Sequence, residues 1–230
     1  MGMAEKSIYE IITTSSIFDG LTVAQLQRLS DFAVRKTFPK PVCLVDLGQT
    51  WKSLYFIEKG FVSTSFNMND GREVGGFPLR EGNWVYLPGV LLPNEAALEV
   101  WTGRSTRLIS IPGTIVRTIA EENPVLYKNA LSYQNRVFRL AHFLIWNIAT
   151  CDGPQKVGRQ LQLISSMTDS RYRECLPLSQ EAIAKSLGMS RQTFSRHIKK
   201  LAALGVINIG YGKIYIVDYD RLKAFWGTTG

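Results

Sequence analysis

The sequence predicts an α+β protein in three parts. Residues 1–122 read as a β-barrel of jelly-roll (double-stranded β-helix) type, residues 123–150 as one long helix, and residues 151–230 as a small domain around a helix-turn-helix. Three observations predict this. Residues 38–112 are short β-rich runs broken by Gly, Pro and Asn. Residues 124–149 carry an apolar repeat at steps of four and three, on a helix about 39 Å long. Residues 177–205 hold two amphipathic segments that meet at Gly188.

In chain order, Ser16 to Thr22 leads into a helical segment, Val23 to Phe32. Strands are predicted at Ser53–Glu58, Phe61–Phe66, Glu73–Pro78, Trp84–Leu87, Ala97–Thr102 and Arg107–Ile111, with turns at Lys59-Gly60, Asn69-Asp70-Gly71 and Glu81-Gly82-Asn83. Many short strands at regular spacing, punctuated by turn residues, favour a closed or sandwiched sheet. Trp51, Tyr55, Phe77, Trp84, Tyr86 and Trp101 make the region rich in rings. Such rings either fill the core or line an apolar pocket for a small molecule; Tyr55, Phe77, Trp84, Tyr86 and Trp101 are the candidate effector-pocket residues.

Asn123 is the expected N-cap of the long helix and Pro124 its opening residue. Leu126, Ala130, Tyr133, Val137, Leu140, Leu144 and Ile148 form one apolar stripe, and Leu131, Phe138 and Ile145 a second at intervals of seven. One stripe suits the barrel and the other a partner helix. His142 on this stretch reads as a hydrogen-bonded residue rather than a haem ligand, and Arg136 and Arg139 as solvated or interface groups. Cys151-Asp152-Gly153-Pro154 breaks the helix and marks a hinge. A helix from Gln155 to about Met167 follows.

Ser179 suits an N-cap, Ile183, Ala184 and Leu187 share one helical face, and Gly188 suits a C-cap. Ser190 caps a second helix whose stripe is Phe194, Ile198, Leu201 and Leu204, ending at Gly205. Its other face carries Arg191, Gln192, Ser195, Arg196 and Lys199. Arg pairs two ways with guanine and Gln with adenine, so this row can read base edges. Lys199, Lys200 and His197 lie further along and suit phosphates. Beyond Gly205, Val206, Ile207 and Ile209, then Ile214 to Val217, read as a hairpin across Gly210-Tyr211-Gly212, with Lys213 at its tip. Asp220 is the expected cap of a last helix ending near Trp226.

The run Ser190-Arg191-Gln192-Thr193-Phe194-Ser195-Arg196, followed by Lys199-Lys200-Leu201 and Leu204-Gly205-Val206-Ile207, resembles the winged-helix domain of the CRP/FNR family of bacterial transcription regulators. The stretches Leu54 to Val62, Asp70-Gly71-Arg72-Glu73 and Glu81-Gly82-Asn83-Trp84 resemble that family's cyclic-nucleotide-type barrel, so the likeness covers most of the chain. It implies an effector-sensing barrel, a dimerisation helix and DNA contacts by the residues matching Arg191, Ser195 and Arg196. The full candidate DNA-binding set is Ser179, Gln180, Ser190, Arg191, Gln192, Thr193, Ser195, Arg196, Lys199 and Lys213. Gln192 departs from the family's usual Glu, which implies a different operator. In members that bind cyclic AMP, a Gly-Glu-Leu turn and a following Arg hold the cyclic phosphate. The matching stretch here, Tyr86 to Ala97, has no Arg, and Arg104-Ser105-Thr106 falls too late, in the turn between the last two strands. The resemblance thus implies the fold but not that ligand.

Formal net charge is +8, of which residues 151–230 supply +6, with 12 Lys/Arg against 6 Asp/Glu. The excess falls where a phosphate footprint is expected. Cys43, Cys151 and Cys175 are odd in number and far apart, which disfavours a disulfide framework, and residues 1–42 lack the cysteine cluster of an iron–sulfur sensor. No apolar run is long enough to span a membrane and no signal peptide is evident, so a cytoplasmic location is expected. The two histidines lie outside the strand region, and no P-loop, dinucleotide, GxSxG or HExxH motif occurs, which argues against an enzyme. The sequence therefore predicts an effector-responsive regulator that binds a palindromic operator as a homodimer, with double-stranded DNA and RNA polymerase as partners. No cofactor is evident. The effector is expected to be a small molecule other than cyclic AMP; the alternative is a cyclic-nucleotide sensor.

Overall fold

A computed structural model describes residues 6–67, 73–75, 79–167, 175–176, 180–210 and 213–224. The chain divides into two compact units, Met1–Phe66 with Phe77–Phe138, and Asn67–Gly76 with Arg139–Gly230.

The first unit opens with α1 (Ile8–Thr13), a short helix that the sequence reading missed. It forms because Ser7 and Glu10 make a reciprocal capping box, and because Ile11 and Ile12 are buried. A single 3-10 turn (Ser16–Phe18) leads to α2 (Val23–Asp31), capped in the same way by Thr22 and Gln25. The strands that follow along the chain are β1 (Val34–Phe38), β2 (Cys43–Val45), β3 (Ser53–Lys59), β4 (Phe61–Asn67), β5 (Glu73–Gly75, which falls in the second unit), β6 (Leu79–Arg80), β7 (Trp84–Val85), β8 (Glu99–Thr102) and β9 (Thr106–Pro112). Those of the first unit form two antiparallel sheets. One has the order β1-β9-β3-β7; the other runs β2-β8-β4, with β6 also on β4. This alternation of two short-stranded sheets is the jelly-roll arrangement expected from the sequence.

Strands β1, β2 and β6 were not anticipated: β1 and β6 are half or more polar, and β2 and β6 are only three and two residues long. The predicted run Trp84–Leu87 is cut short. Tyr86 adopts a left-handed backbone, φ +50°, and Leu87 begins helix α3 (Leu87–Leu91), with Pro88 in its first turn. The run Ala97–Thr102 starts two residues later than predicted; of the run Glu73–Pro78, β5 holds Glu73–Gly75, and residues 76–78 lie outside the described residues, as does the turn Asn69-Asp70-Gly71.

The middles of strands β3 and β9 are largely apolar because both faces are covered. Leu54, Tyr55, Ile57, Leu108, Ile109 and Ile111 are all buried. Helix α4 (Gly113–Glu122), also unanticipated, packs against both strands and buries Val116, Ile119 and Ala120. Glu58 staples this sheet. Its buried carboxylate pairs with Arg35 of β1 at 2.9 Å and Arg107 of β9 at 2.7 Å. Helix α5 (Val125–Thr150) follows, and the Asn123 carboxamide accepts from the Val125 N–H as a cap. Leu126 and Ala130 are buried beneath it, and the Tyr133 hydroxyl donates to the Trp84 carbonyl at 2.8 Å.

The second unit contains α6 (Gly153–Met167), β10 (Cys175–Leu176), α7 (Gln180–Ser186), α8 (Arg191–Ala203), β11 (Ile207–Gly210), β12 (Lys213–Ile216) and α9 (Tyr219–Ala224). Helix α6 starts two residues earlier than predicted and packs against α8 and α9. Its Val157, Leu161 and Ile164 are buried. The hairpin pairs as Ile207↔Ile216 through Gly210↔Lys213, and β10 adds a third strand on β12. The cap of α9 is Asp218, not Asp220: its carboxylate accepts from the Arg221 N–H at 2.8 Å, while Asp220 falls in the first turn. Trp226 lies outside the described residues.

Candidate nucleic-acid interface

Helices α7 and α8 meet as a helix-turn-helix. Ile183, Ala184 and Leu187 are buried on the first helix. Gly188 then takes φ +62°, a left-handed turn that a side chain would strain. Ser190 opens α8: its hydroxyl accepts from the Thr193 N–H at 3.1 Å and lies 2.9 Å from the Thr193 hydroxyl. Phe194, Ile198 and Leu201 are buried in the unit's core. Leu204, predicted as the end of this stripe, is instead the C-cap residue and is exposed, because the helix stops before the stripe returns to the core.

Opposite this stripe the helix is free for a partner. Arg191, Gln192, Arg196, Lys199 and Lys200 are exposed, and Ser195 is half-buried between them. The spacing of 191, 195 and 199, and of 192, 196 and 199, puts these groups on one face. Three positive charges and two hydrogen-bonding side chains thus project from a helix whose other side is anchored, as reading a major groove requires. Ser190 and Thr193 are committed to the cap, so their hydroxyls hold the helix start. Gln180 is half-buried at the first position of α7, and Ser179 lies outside the described residues. Lys213 is exposed at the first position of β12. His197 does not join the row. It is half-buried, packed on Gly153 at the start of α6, and burial followed by the Arg196 and Lys200 charges hold its pKa below the usual histidine value.

The candidate effector residues do not converge. Trp84 pairs with Phe56 across β3 and β7, on the face that meets the N-terminal segment. Its ring packs edge-on against Phe18 with centroids 5.1 Å apart, and its indole N–H donates to the Ser15 hydroxyl at 3.0 Å. Tyr55 pairs with Val85 and therefore points to the opposite face. Trp101 pairs with Ser63, on the face of β8 away from the buried Val100 and Thr102, and donates to the Glu99 carboxylate at 2.9 Å. Tyr86 stacks at a tilt on Trp51, with centroids 5.2 Å apart. Phe77 lies outside the described residues. Ring content alone could not separate these faces, because all the rings lie on or beside strands whose two surfaces are both partly covered.

The stretch from Tyr86 to Ala97 presents no cation. Leu87, Val90 and Leu91 of α3 are buried, and Arg117 of α4 donates to the Val90 carbonyl at 2.9 Å. Arg104 is exposed in the turn between β8 and β9.

Sequence reasoning missed one feature beside the DNA-reading helix. Asp152 and Gln155 form a capping box on α6, with the Gln155 N–H donating to Asp152 at 3.0 Å and the Asp152 N–H to Gln155 at 3.2 Å. The Asp-x-x-Gln spacing was its signal.

Comparison with known proteins agrees with this geometry. The family model described as the Crp-like helix-turn-helix domain matches residues 138–225. A CRP-like cAMP-activated global transcriptional regulator of Mycobacterium tuberculosis is 23% identical over 217 residues, 93% of this chain and 97% of its own. The cAMP-activated global transcriptional regulator CRP of Salmonella typhimurium is 21% identical over 189 residues, 80% of this chain and 89% of its own. Among solved structures, FixK2 from Bradyrhizobium japonicum superposes with a TM-score of 0.77 at 16% identity, covering 86% of this chain and 99% of its own. A CooA mutant from Carboxydothermus hydrogenoformans gives 0.71 at 16% identity, covering 98% of both chains. With the helix-turn-helix matched, CRP-like relatives along nearly the whole chain and the fold shared with solved regulators, residues 138–225 are a Crp-like helix-turn-helix domain and the chain as a whole resembles the CRP/FNR family of DNA-binding transcription regulators.

Proposed function

We propose that this protein regulates transcription as a homodimer on a palindromic operator, under the control of a small molecule other than cyclic AMP. The exposed row Arg191, Gln192, Ser195, Arg196 and Lys199 on an anchored helix carries the DNA-binding reading. Arg191, Gln192 and Arg196 read base edges; Lys199 and Lys213 neutralise phosphates. Helix α5 supports the dimer. Leu131 and Phe138, in the first unit, are 72% and 55% exposed, and Ile145 and Trp146, in the second, 60% and 67%. Residues 131, 138 and 145 recur every seven, the spacing of a helix-to-helix seam. Two-fold symmetry would then set two α8 helices about 34 Å apart on successive major grooves. RNA polymerase is the partner that a regulator of this kind acts on.

The absence of a cation from Tyr86 to Ala97 supports a neutral or apolar effector, since a buried cyclic phosphate needs a charged or N–H partner. The second reading, a cyclic-nucleotide sensor, is favoured by the relatives named as cAMP-activated. Isothermal calorimetry with cyclic AMP separates the two: no heat is expected, and a micromolar Kd would establish the second. Selection of duplexes from a random-sequence pool tests the DNA reading. An inverted repeat should emerge; a featureless pool would refute a palindromic operator.

A further inference from the structure

The recognition helix is not held by its apolar stripe alone. His197 lies on α8 beside that stripe, and its imidazole sits directly on the backbone of Gly153, the first residue of α6. A Cβ at position 153 would lie 2.3 Å from both Cε1 and Nε2 of the ring, so only a glycine admits it without displacement. Asp152, next to that glycine, closes the capping box on Gln155. His197 Nδ1 is buried and has no hydrogen-bond partner among the described residues.

We infer that His197 is a positioning residue for DNA binding, a neutral wedge that fixes the recognition helix against the capped start of α6 at the hinge, and not a phosphate contact. The surroundings suit an uncharged ring. Arg196 and Lys200 face it from its own helix, and the first turn of α6 presents the positive end of a helix dipole. Among the described residues Asp152 is the one opposing charge, and it is engaged by the Gln155 N–H. Protonation would add a buried N–H without an acceptor and a third positive charge beside two others. Burial and those two cations depress the ring's pKa, so the neutral form is favoured in the folded unit. For such a group the packing is complete above the ordinary histidine range and is lost as pH falls through the folded value.

The test uses the full chain and a duplex that the wild-type protein selects from a random-sequence pool. A wedge and a phosphate contact differ in sign. Lowering the pH through the histidine range should weaken DNA binding by the wild type, whereas a histidine on a phosphate would bind more tightly once charged. His197→Gln should flatten that dependence, and His142→Gln, at the other histidine, should leave it in place. Gly153→Ala should weaken binding roughly tenfold in the wild-type background and leave it unchanged in a His197→Ala background, where the ring it strikes is gone. Thermal melting of the free protein should show the same coupling. Tighter binding in acid, additive effects of the two substitutions, or a His197→Gln profile like that of the wild type would each overturn the inference.

Discussion

Arg191 and Arg196 are long cations held at one end only, by a helix whose opposite face is locked into the core. Such a side chain can give both its planar donors to one guanine. Arg191→Ala and Arg196→Ala should each cost about 1–3 kcal/mol of specific binding and relax the preference at one position, as read by affinity for single-base operator variants. Lys199→Ala should instead weaken all duplexes alike and lower the salt slope by about one if, as proposed, it neutralises a phosphate. The exposure of these side chains on one face of α8 was legible in the sequence, since helical spacing fixes it. The roles of Ser190 and Thr193 were only half legible: the cap was foreseen, but that both hydroxyls are used in it depends on their mutual distance. His197 was read with the phosphate row; its packing on Gly153 was not legible, because that glycine is far away in sequence and only the fold brings them together.

Among the elements, α5 makes the clearest demand on a partner. Its inner stripe is covered at Leu126 and Ala130, but the seven-residue stripe through Leu131, Phe138 and Ile145 is open. If α5 forms the proposed dimer, Phe138→Glu with Ile145→Glu should give monomers in sedimentation where the wild type sediments as a dimer, and abolish operator binding at concentrations where the wild type saturates. A second element-scale device is the Glu58 staple. Strands β1, β3 and β9 each contribute one charged member, Arg35, Glu58 and Arg107. Both arginines keep about a third of their side-chain surface in water, so Glu58→Gln should cost roughly 2 kcal/mol rather than the larger penalty of a fully buried pair, measurable by denaturant unfolding. The strands of this sheet that are buried on both faces were plain in the sequence. Edge strand β1 was not, because few of its residues are apolar, and α1 was not, because six residues are too short to show a helical period and the helix start rests on its capping box.

For the whole molecule, the proposed control of DNA binding by an effector would be a matter of populations. A ligand shifts the protein toward the DNA-binding state only by its difference in affinity for the two states. A small molecule that raises the melting temperature should therefore also change operator affinity, and the operator should change the affinity for that molecule by the same factor. A stabilising ligand with no effect on operator binding would not be the effector.

By itself the sequence determined the order of parts, the helix-turn-helix with its turn glycine, the Ser190 cap and its row of exposed polar side chains, the long helix and its two stripes, and the lack of an arginine from Tyr86 to Ala97. All of these depend on local spacing, which a linear pattern records directly. The tertiary structure alone decided which faces the aromatic rings occupy. It set Trp84 against the N-terminal segment, Tyr55 on the other side of the same strand pair and Trp101 on the far face of β8. It also brought His197 onto Gly153. Those arrangements follow from strand pairing and from helices packing across long sequence separations, and alternation within a strand fixes two faces without saying what each will meet.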